Sequence, residues 1–468
     1  MPAMTKATLI RPRPKAKAAT GPRQIRTYRS AVNYLNSLTN YERVRRAKYT
    51  TGNFGLARIT RLLAALDNPH RSFKSVHIAG TKGKGSTSCM LAEMLRACDL
   101  KVGLYTSPHL LSVRERIVVD SKKIEERAFT KCVEAVSKIA VAAKVPEPTY
   151  FEVMTAAAFV HFRNEGVDIA VVETGMGGRL DSTNVITPEA VGITSISYDH
   201  TLQLGDDLAS IAKEKAGIFK KGIPVVSAPQ PASVKEVLKQ AALDANTTLR
   251  YSNDGVDFSY RFEFSRAAGR HARICLTTAN CKFEHLFVPL LGEHQAMNCT
   301  VALGLLDVLK TRGFEIDDQK AVEGMSNVSL DGRMQMICEE PRILVDGAHN
   351  GASIDALMRA IGQHVSYDSM IVIFGCQKDK DITGMLRRLQ IGADKMIFTS
   401  TGSPRSADPA ELAAEYIEMS GKMAQVGETI DDAMTIATSA ITREDLVCIT
   451  GSFYLVAEAL RKFSPEAT

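Results

Sequence analysis

The chain has 468 residues, 45% of them apolar and 24% charged, a globular make-up too long for one ordinary core, so two or three domains are expected. Its net charge of +6 is concentrated: residues 1–30 carry eight Lys or Arg and no acid, leaving 50 basic against 52 acidic side chains elsewhere. That near-neutral body argues against a nucleic-acid-binding surface, and no apolar run approaches the roughly 20 residues of a membrane span.

The head, with Pro12, Pro14 and Pro22 among its cations, reads as a basic disordered tail over residues 1–27. It is serine-poor and broken by proline, which favours a solvated tail over an organelle-targeting extension. Nine scattered cysteines without a C-x-x-C pair fit a reduced, cytoplasmic protein. Apolar residues recur at helical spacing over 28–38 and 56–66, and Asn68-Pro69 closes the second helix.

Next comes His77-Ile78-Ala79-Gly80-Thr81-Lys82-Gly83-Lys84-Gly85-Ser86-Thr87, a β-branched strand feeding a glycine-rich loop, with a helix predicted over 88–97. Glycines let backbone N–H groups approach an anion, Lys84 adds charge, and the helix N-terminus adds donors. The pattern is a phosphate cradle for ATP or GTP. It departs from Walker A, because Ile78 stands where a glycine is required and Gly85 separates Lys84 from Ser86.

A second strand over 102–105 closes at Thr106-Ser107-Pro108-His109, and 114–119 (RERIVV) reads as an edge strand. A helix follows over 125–143, then a nearly all-apolar one over 151–162, buried between layers. Strands over 167–172 and 190–196 lead to Glu173 and to Tyr198-Asp199-His200. Alternating strands and helices predict a doubly wound parallel sheet. The short alternating runs of 247–288 predict a small antiparallel subdomain, followed by a helix over 294–311. A second βα series, with strands over 342–345, 369–374, 395–399 and 445–450, carries no phosphate loop. The expected division is 28–328 and 329–468.

Ser107, Glu173 and His200 follow strand C-terminal ends, where open α/β sheets bind ligands. A hydroxyl, a carboxylate and an imidazole suit Mg2+ held partly through water. Singly each is weak, and a lone histidine there is more often a structural hydrogen-bonder; with Lys84 they converge on one crevice. Glu173 is followed by Thr174-Gly175-Met176-Gly177-Gly178, small residues that let the backbone approach a bulky ligand. Lys215 reads equally well as a solvated helix lysine.

The strings HIAGTKGKGST, YTSPHLLSVRERI, ETGMGGRLDSTN, SYDHTLQLGDDLASIAKEKAGIF, GEHQAMN, DGRMQ, ILVDGAHN and TGSFYLV occur in this order. Over about residues 28–458 the chain resembles the folylpolyglutamate synthase and dihydrofolate synthase family, within the Mur ligase group of ATP-dependent amide-bond ligases. The resemblance implies a P-loop ATPase-like N-terminal domain and a Rossmann-like C-terminal domain. It implies that Gly80, Thr81, Gly83, Lys84, Gly85 and Ser86 cradle the ATP phosphates. Asn298, Arg333 and Asp346 match further ATP contacts. Ser107, Glu173 and His200 look like the magnesium ligands, with room for K+. Lys215 matches a lysine the family carries as a carbamate, so Lys84, Lys215 and His200 form the implied catalytic set.

Thr149, Tyr150, Phe151 and Glu152, with Leu180, Asp181 and Ser182, match stretches that contact the pterin substrate in bifunctional members. His349 and Asn350 are candidate contacts for the incoming glutamate. The implied reaction adds L-glutamate to dihydropteroate, to folates, or to both, through an acyl phosphate. A bifunctional, monomeric enzyme is expected, with no nucleic-acid or membrane partner. Alternatives are a monofunctional folylpolyglutamate synthase, a peptidoglycan-type Mur ligase and a non-catalytic nucleotide-binding module. Lys82 stands where many bacterial members have Asn and resembles the eukaryotic form, which leaves substrate preference open.

Overall fold

The computed structural model describes residues 25–42, 49–254, 257–265, 269–277, 282–439 and 441–463. The predicted tail lies outside the described residues as far as residue 24, but not to residue 27. Ile25 is buried in the core, and Thr27 caps the helix Tyr28–Asn36 by accepting from the Ser30 N–H. An apolar side chain with a core to enter holds the chain there.

Strands β1 (Lys74–Ala79), β2 (Val102–Tyr105), β3 (Ile117–Val119), β4 (Lys122–Lys123), β5 (Ile169–Glu173), β6 (Ala190–Ile193), β7 (Val225–Ser227) and β8 (Leu249–Tyr251) form one sheet. Its order is β4-β3-β2-β5-β1-β6-β7-β8, parallel from β2 to β8, with β3 antiparallel to β2. Every residue of β5 is buried because helices cover both faces. Ile169 and Val171 pack with helices α1 (Lys84–Ala97) and, further along the chain, Glu293–Thr311. Ala170 and Val172 point the other way, into the cluster of α2 (Tyr150–Glu165). Strands β9 (Asp257–Ser265), β10 (Gly269–Thr277) and β11 (Lys282–Val288) make a separate antiparallel sheet in the order β11-β10-β9.

A second large sheet comprises β12 (Gln335–Glu339), β13 (Arg342–Asp346), β14 (Met370–Phe374), β15 (Lys395–Thr399), β16 (Ala424–Gly427) and β17 (Leu446–Thr450). Its order is β12-β13-β17-β14-β15-β16, parallel except for β12. Loops at the C-terminal ends of both large sheets face each other across a cleft.

Four expectations change. The helix predicted from residue 88 starts at Lys84, because Gly83 at φ 84° turns the chain directly into it; Gly85-Ser86-Thr87 therefore form its first turn. The 114–119 edge strand survives only as β3. Val113–Arg116 is a 3-10 turn, since Glu115 gathers the N–H groups of Leu110, Leu111 and Ser112. The strand of 190–196 ends at Ile193, because the Ser195 carbonyl beyond it receives the Thr81 and Lys82 N–H groups. Within 247–288, β8 does not join the antiparallel sheet but extends the large sheet beside β7.

Candidate active site

A cavity of about 1790 Å³ occupies the cleft, lined from one side by the glycine-rich loop and from the other by residues after β13, β14 and β17. The loop is fastened to its neighbour: Thr81 N–H donates to the Ser195 carbonyl at 2.9 Å, and Thr81 Oγ1 donates to the Ser197 carbonyl at 3.0 Å. Residues 81–86 line the cavity at the N-terminus of α1, where first-turn N–H groups are free to meet an anion. Gly80 does not reach it. A Cβ there would stand 1.8 Å from Thr194 Oγ1, so the glycine lets the loop lie on β6.

Lys84 Nζ lies 3.8 Å from Glu173 Oε1, and the Ser107 N–H donates to Glu173 Oε2 at 3.0 Å. Glu173 is buried at the end of β5; burial pushes its carboxyl up, with Lys84 pulling it down. Ser107 and Glu173 thus meet directly. His200 lies on the same cavity wall, with its ring about half exposed and 3.9 Å from Asp199. Among the described residues no group of three His, Cys, Asp or Glu gathers at metal-binding distance. The donor set fits Mg2+ all the same, since that ion is usually held by one or two carboxylates and completed by waters and substrate phosphates.

Lys215 is buried on the helix Leu208–Ala216 and does not line the cavity. Its Nζ donates to the Gly80 carbonyl at 2.7 Å, directly under the loop. Burial, then the neighbouring Lys84, brings its amine down to about 7. The solvated-lysine reading is therefore excluded.

The two stretches matched to pterin contacts line the cavity, and several of their polar groups are occupied. Thr149 caps α2 by accepting from the Glu152 N–H, while Glu152 accepts from the Thr149 N–H and pairs with Arg58 Nε at 3.0 Å. Asp181 accepts from Thr183 N–H, Thr183 Oγ1 and Met176 N–H. Tyr150 is buried beneath the Arg116 guanidinium. Phe151 and Ser182 are half-buried at the surface of the cavity, and Leu180 backs it.

On the far wall, Asp346 ends β13 and accepts from the Met334 and Ala348 N–H groups at 2.9 and 2.8 Å. The Arg333 guanidinium lies 4.4 Å from the Phe453 ring centroid. Desolvation pushes Arg333 down and Asp346 up while each charge favours the other. Asn298, on the helix Glu293–Thr311, reaches under Gly83. His349 Nδ1 bonds the Gly347 carbonyl at 2.8 Å, and desolvation, with nearby Lys380, brings the ring down to about 4, so it is neutral. Asn350 caps the helix Gly351–His364 by accepting from the Ser353 N–H.

Two profiles match the chain: the Mur ligase middle domain over residues 78–306 and the Mur ligase glutamate ligase domain over 332–453. The dihydrofolate synthase/folylpolyglutamate synthase of Bacillus subtilis is 33% identical over 414 residues, covering 87% of this chain and 94% of the relative. The chain belongs to the folylpolyglutamate synthase/dihydrofolate synthase family. A folylpolyglutamate synthase of Mycobacterium tuberculosis complexed with ADP superimposes with a TM-score of 0.84 at 30% identity, covering 94% of this chain and 98% of that one. Escherichia coli FolC in complex with DHPP and ADP gives 0.81 at 28%, covering 93% and 97%. The chain spans 50% of the length of a Haloferax volcanii protein described as a probable bifunctional folylpolyglutamate synthase/dihydropteroate synthase, at 33% identity.

Within this family fold, three cavity residues had no role in the sequence reading. Arg116, 1% exposed, makes a bidentate pair with Glu42 at 2.7 and 2.8 Å and donates to His109 Nδ1 at 2.8 Å. Arg405 pairs with Asp379 at 2.8 Å and reaches the Glu42 carbonyl, joining the two units. Lys380, in the loop after β14, also lines the cavity. The RERI string carries Arg116 in plain view, but nothing local says that its partner stands 74 residues away.

Proposed function

We propose that this ligase joins L-glutamate both to dihydropteroate and to reduced folates, through an acyl-phosphate intermediate, acting as a cytoplasmic monomer. It is an ATP-dependent glutamate ligase of folate metabolism. The observation that carries the mechanism is the shared cavity, with Lys84 at a helix N-terminus on one wall and Arg333 with Asp346 on the other. Both walls come from one chain, and the eight described cysteines are all free, as in a reducing compartment.

In the first step a carboxylate oxygen of the acceptor attacks the γ-phosphorus of ATP; the bond to the β–γ bridging oxygen breaks and ADP leaves. In the second, the glutamate amine attacks the acyl carbon, loses a proton, and phosphate departs. Lys84 and the N–H groups of the first α1 turn offset charge on the transferring phosphoryl oxygens. Ser107, Glu173 and His200 would hold Mg2+, which when bound supplies further charge compensation there. Lys215, with an amine near neutrality, suits reaction with CO2 to give an anionic carbamate beneath the loop. Phe151, Leu180 and Ser182 would offer the acceptor ring its wall. Burial between the two units keeps water from the acyl phosphate.

Phosphate release from ATP, measured with glutamate plus dihydropteroate and separately with glutamate plus tetrahydrofolate, tests the reading. Turnover with both acceptors is expected, and Lys84→Ala abolishes it. Turnover with one acceptor alone reduces the reading to a monofunctional enzyme, and background rates with both overturn it.

A further inference from the structure

We propose that His77 positions the acceptor wall against the phosphate loop, acting through Thr183 and Asp181. This rests on the ligase reading, in which Leu180 and Ser182 face the acceptor, and it gives a task to a residue that reading does not use.

His77 is fully buried on β1, the strand that runs into Gly80, with Val172 and Val191 beside it on the flanking strands. An apolar side chain would fill such a place without the cost of taking an imidazole out of water. The ring's Nε2 meets Thr183 Oγ1 at 2.8 Å, and Thr183 Oγ1 donates to Asp181 Oδ1 at 2.5 Å. A hydroxyl has one hydrogen, and here it goes to the carboxylate. His77 must therefore donate from Nε2. That leaves Nδ1 as a bare acceptor, and Nδ1 is the ring atom without a partner among the described residues. Burial, then the charge of Lys220, brings the ring down to about 3, so it stays neutral in this tautomer.

Asp181 carries the link onward. Oδ1 also accepts the Thr183 N–H at 3.0 Å and Oδ2 the Met176 N–H at 2.9 Å, so one carboxylate joins both ends of the loop that leaves β5 after Glu173. Leu180, Asp181 and Ser182 on that loop line the cavity. The loop's backbone is pinned independently. The Tyr49 hydroxyl accepts from the Leu180 N–H at 3.2 Å, and Asn184 Nδ2 donates to the Arg179 and Gly217 carbonyls, each at 3.0 Å. These contacts keep the loop folded without His77. What His77 adds is a side-chain link from the acceptor wall to the strand that carries the phosphate loop. Attack on the γ-phosphorus tolerates little misplacement of the acceptor carboxylate, since about 1 Å costs about a hundredfold in rate.

Wild type, His77→Leu, His77→Gln and Thr183→Val are compared with dihydropteroate or tetrahydrofolate, whichever wild type turns over. Three quantities are read: acyl phosphate trapped as hydroxamate by hydroxylamine without glutamate, affinity for a non-hydrolysable ATP analogue, and thermal midpoint. His77→Leu and Thr183→Val are each expected to lower kcat/KM for the acceptor in the trapping assay at least tenfold, with affinity for the ATP analogue essentially unchanged. His77→Gln, whose side-chain amide can still donate to Thr183, should recover most of the loss. If His77→Leu does not fold, Thr183→Val breaks the same link from the loop side and decides the question. A lower thermal midpoint with unchanged acceptor kcat/KM overturns the inference, leaving His77 a core residue. An equal loss in His77→Gln overturns it too, by assigning the effect to ring volume, as does a matching loss of nucleotide affinity, which would place the effect on the phosphate loop. A wild-type enzyme with no acceptor-dependent turnover overturns the ligase reading itself.

Discussion

Gly83 and Asn298 are so closely apposed that a Cβ on the glycine would stand 2.0 Å from the amide Oδ1. Asn298 cannot retreat. It is buried, its Nδ2 donates to Gln295 Oε1 at 3.0 Å, and its carbonyl accepts from Thr87 Oγ1 at 3.3 Å. The phosphate loop is thus seated on the helix Glu293–Thr311, and the turn that starts α1 exists only where a side chain is absent.

Gly83→Ala is expected to weaken ATP binding at least tenfold. Its φ of 84° costs a β-carbon about 1–2 kcal/mol before the clash with Asn298 is counted. Calorimetric titration with a non-hydrolysable ATP analogue measures the loss, and near-wild-type affinity would show that the loop shifts without penalty.

Thr149 and Phe151 separate scaffold from contact within one stretch. Thr149→Ala removes the cap of α2 and should cost about 1 kcal/mol of stability. Its effect on acceptor KM should be small, because its hydroxyl already serves the Glu152 N–H. Phe151→Ala removes a cavity-lining ring and should raise the acceptor KM several-fold. Urea unfolding with steady-state kinetics checks both, and the opposite pattern would make Thr149 the contact.

This pair also marks what the sequence could show. Buried strands such as β5 and β14 were plain, because a strand covered on both faces needs an unbroken apolar run. The glycine loop and the strand-end Glu173 were plain because anion binding restricts local residue choice. The first turn of α1 was not, since Gly85-Ser86-Thr87 are poor helix formers held by an N-terminus that faces the cavity. Nor was the 3-10 turn at Val113–Arg116, where one carboxylate overrides strand propensity by collecting three backbone donors. Pairings at long separation, such as Arg116 with Glu42 or Lys215 with Gly80, leave no periodic trace at all.

The Arg116 pair gives a prediction of its own. A guanidinium fork meets both Glu42 oxygens, bonds His109 and stacks over Tyr150, and an ammonium cannot do all four. Arg116→Lys should cost about 2 kcal/mol in urea unfolding, discounted because Glu42 keeps a third of its side chain in water. Glu42→Gln should cost less, and the double variant should fall short of the sum. Strict additivity would mean that the pair is not coupled.

Lys215 yields the pH prediction. Its amine falls to about 7 in the folded chain from an ordinary 10.5, chiefly through burial. Between those values the unfolded chain binds a proton there that the folded chain does not. Stability therefore rises with pH across that window, is flat above it, and is also flat below it. Lys215→Met lacks the group, so in CO2-free buffer the stability of wild type relative to this variant should climb between pH 7 and pH 10. Urea unfolding at a series of pH values measures it, and parallel curves would mean that Lys215 stays charged. Taken with 13C-bicarbonate, the same neutral amine should give a protein-bound carbamate carbon in the NMR spectrum that is missing from Lys215→Met. Its growth above pH 7, in step with the deprotonated fraction, would tie the titration under Gly80 to the chemistry of the loop above it.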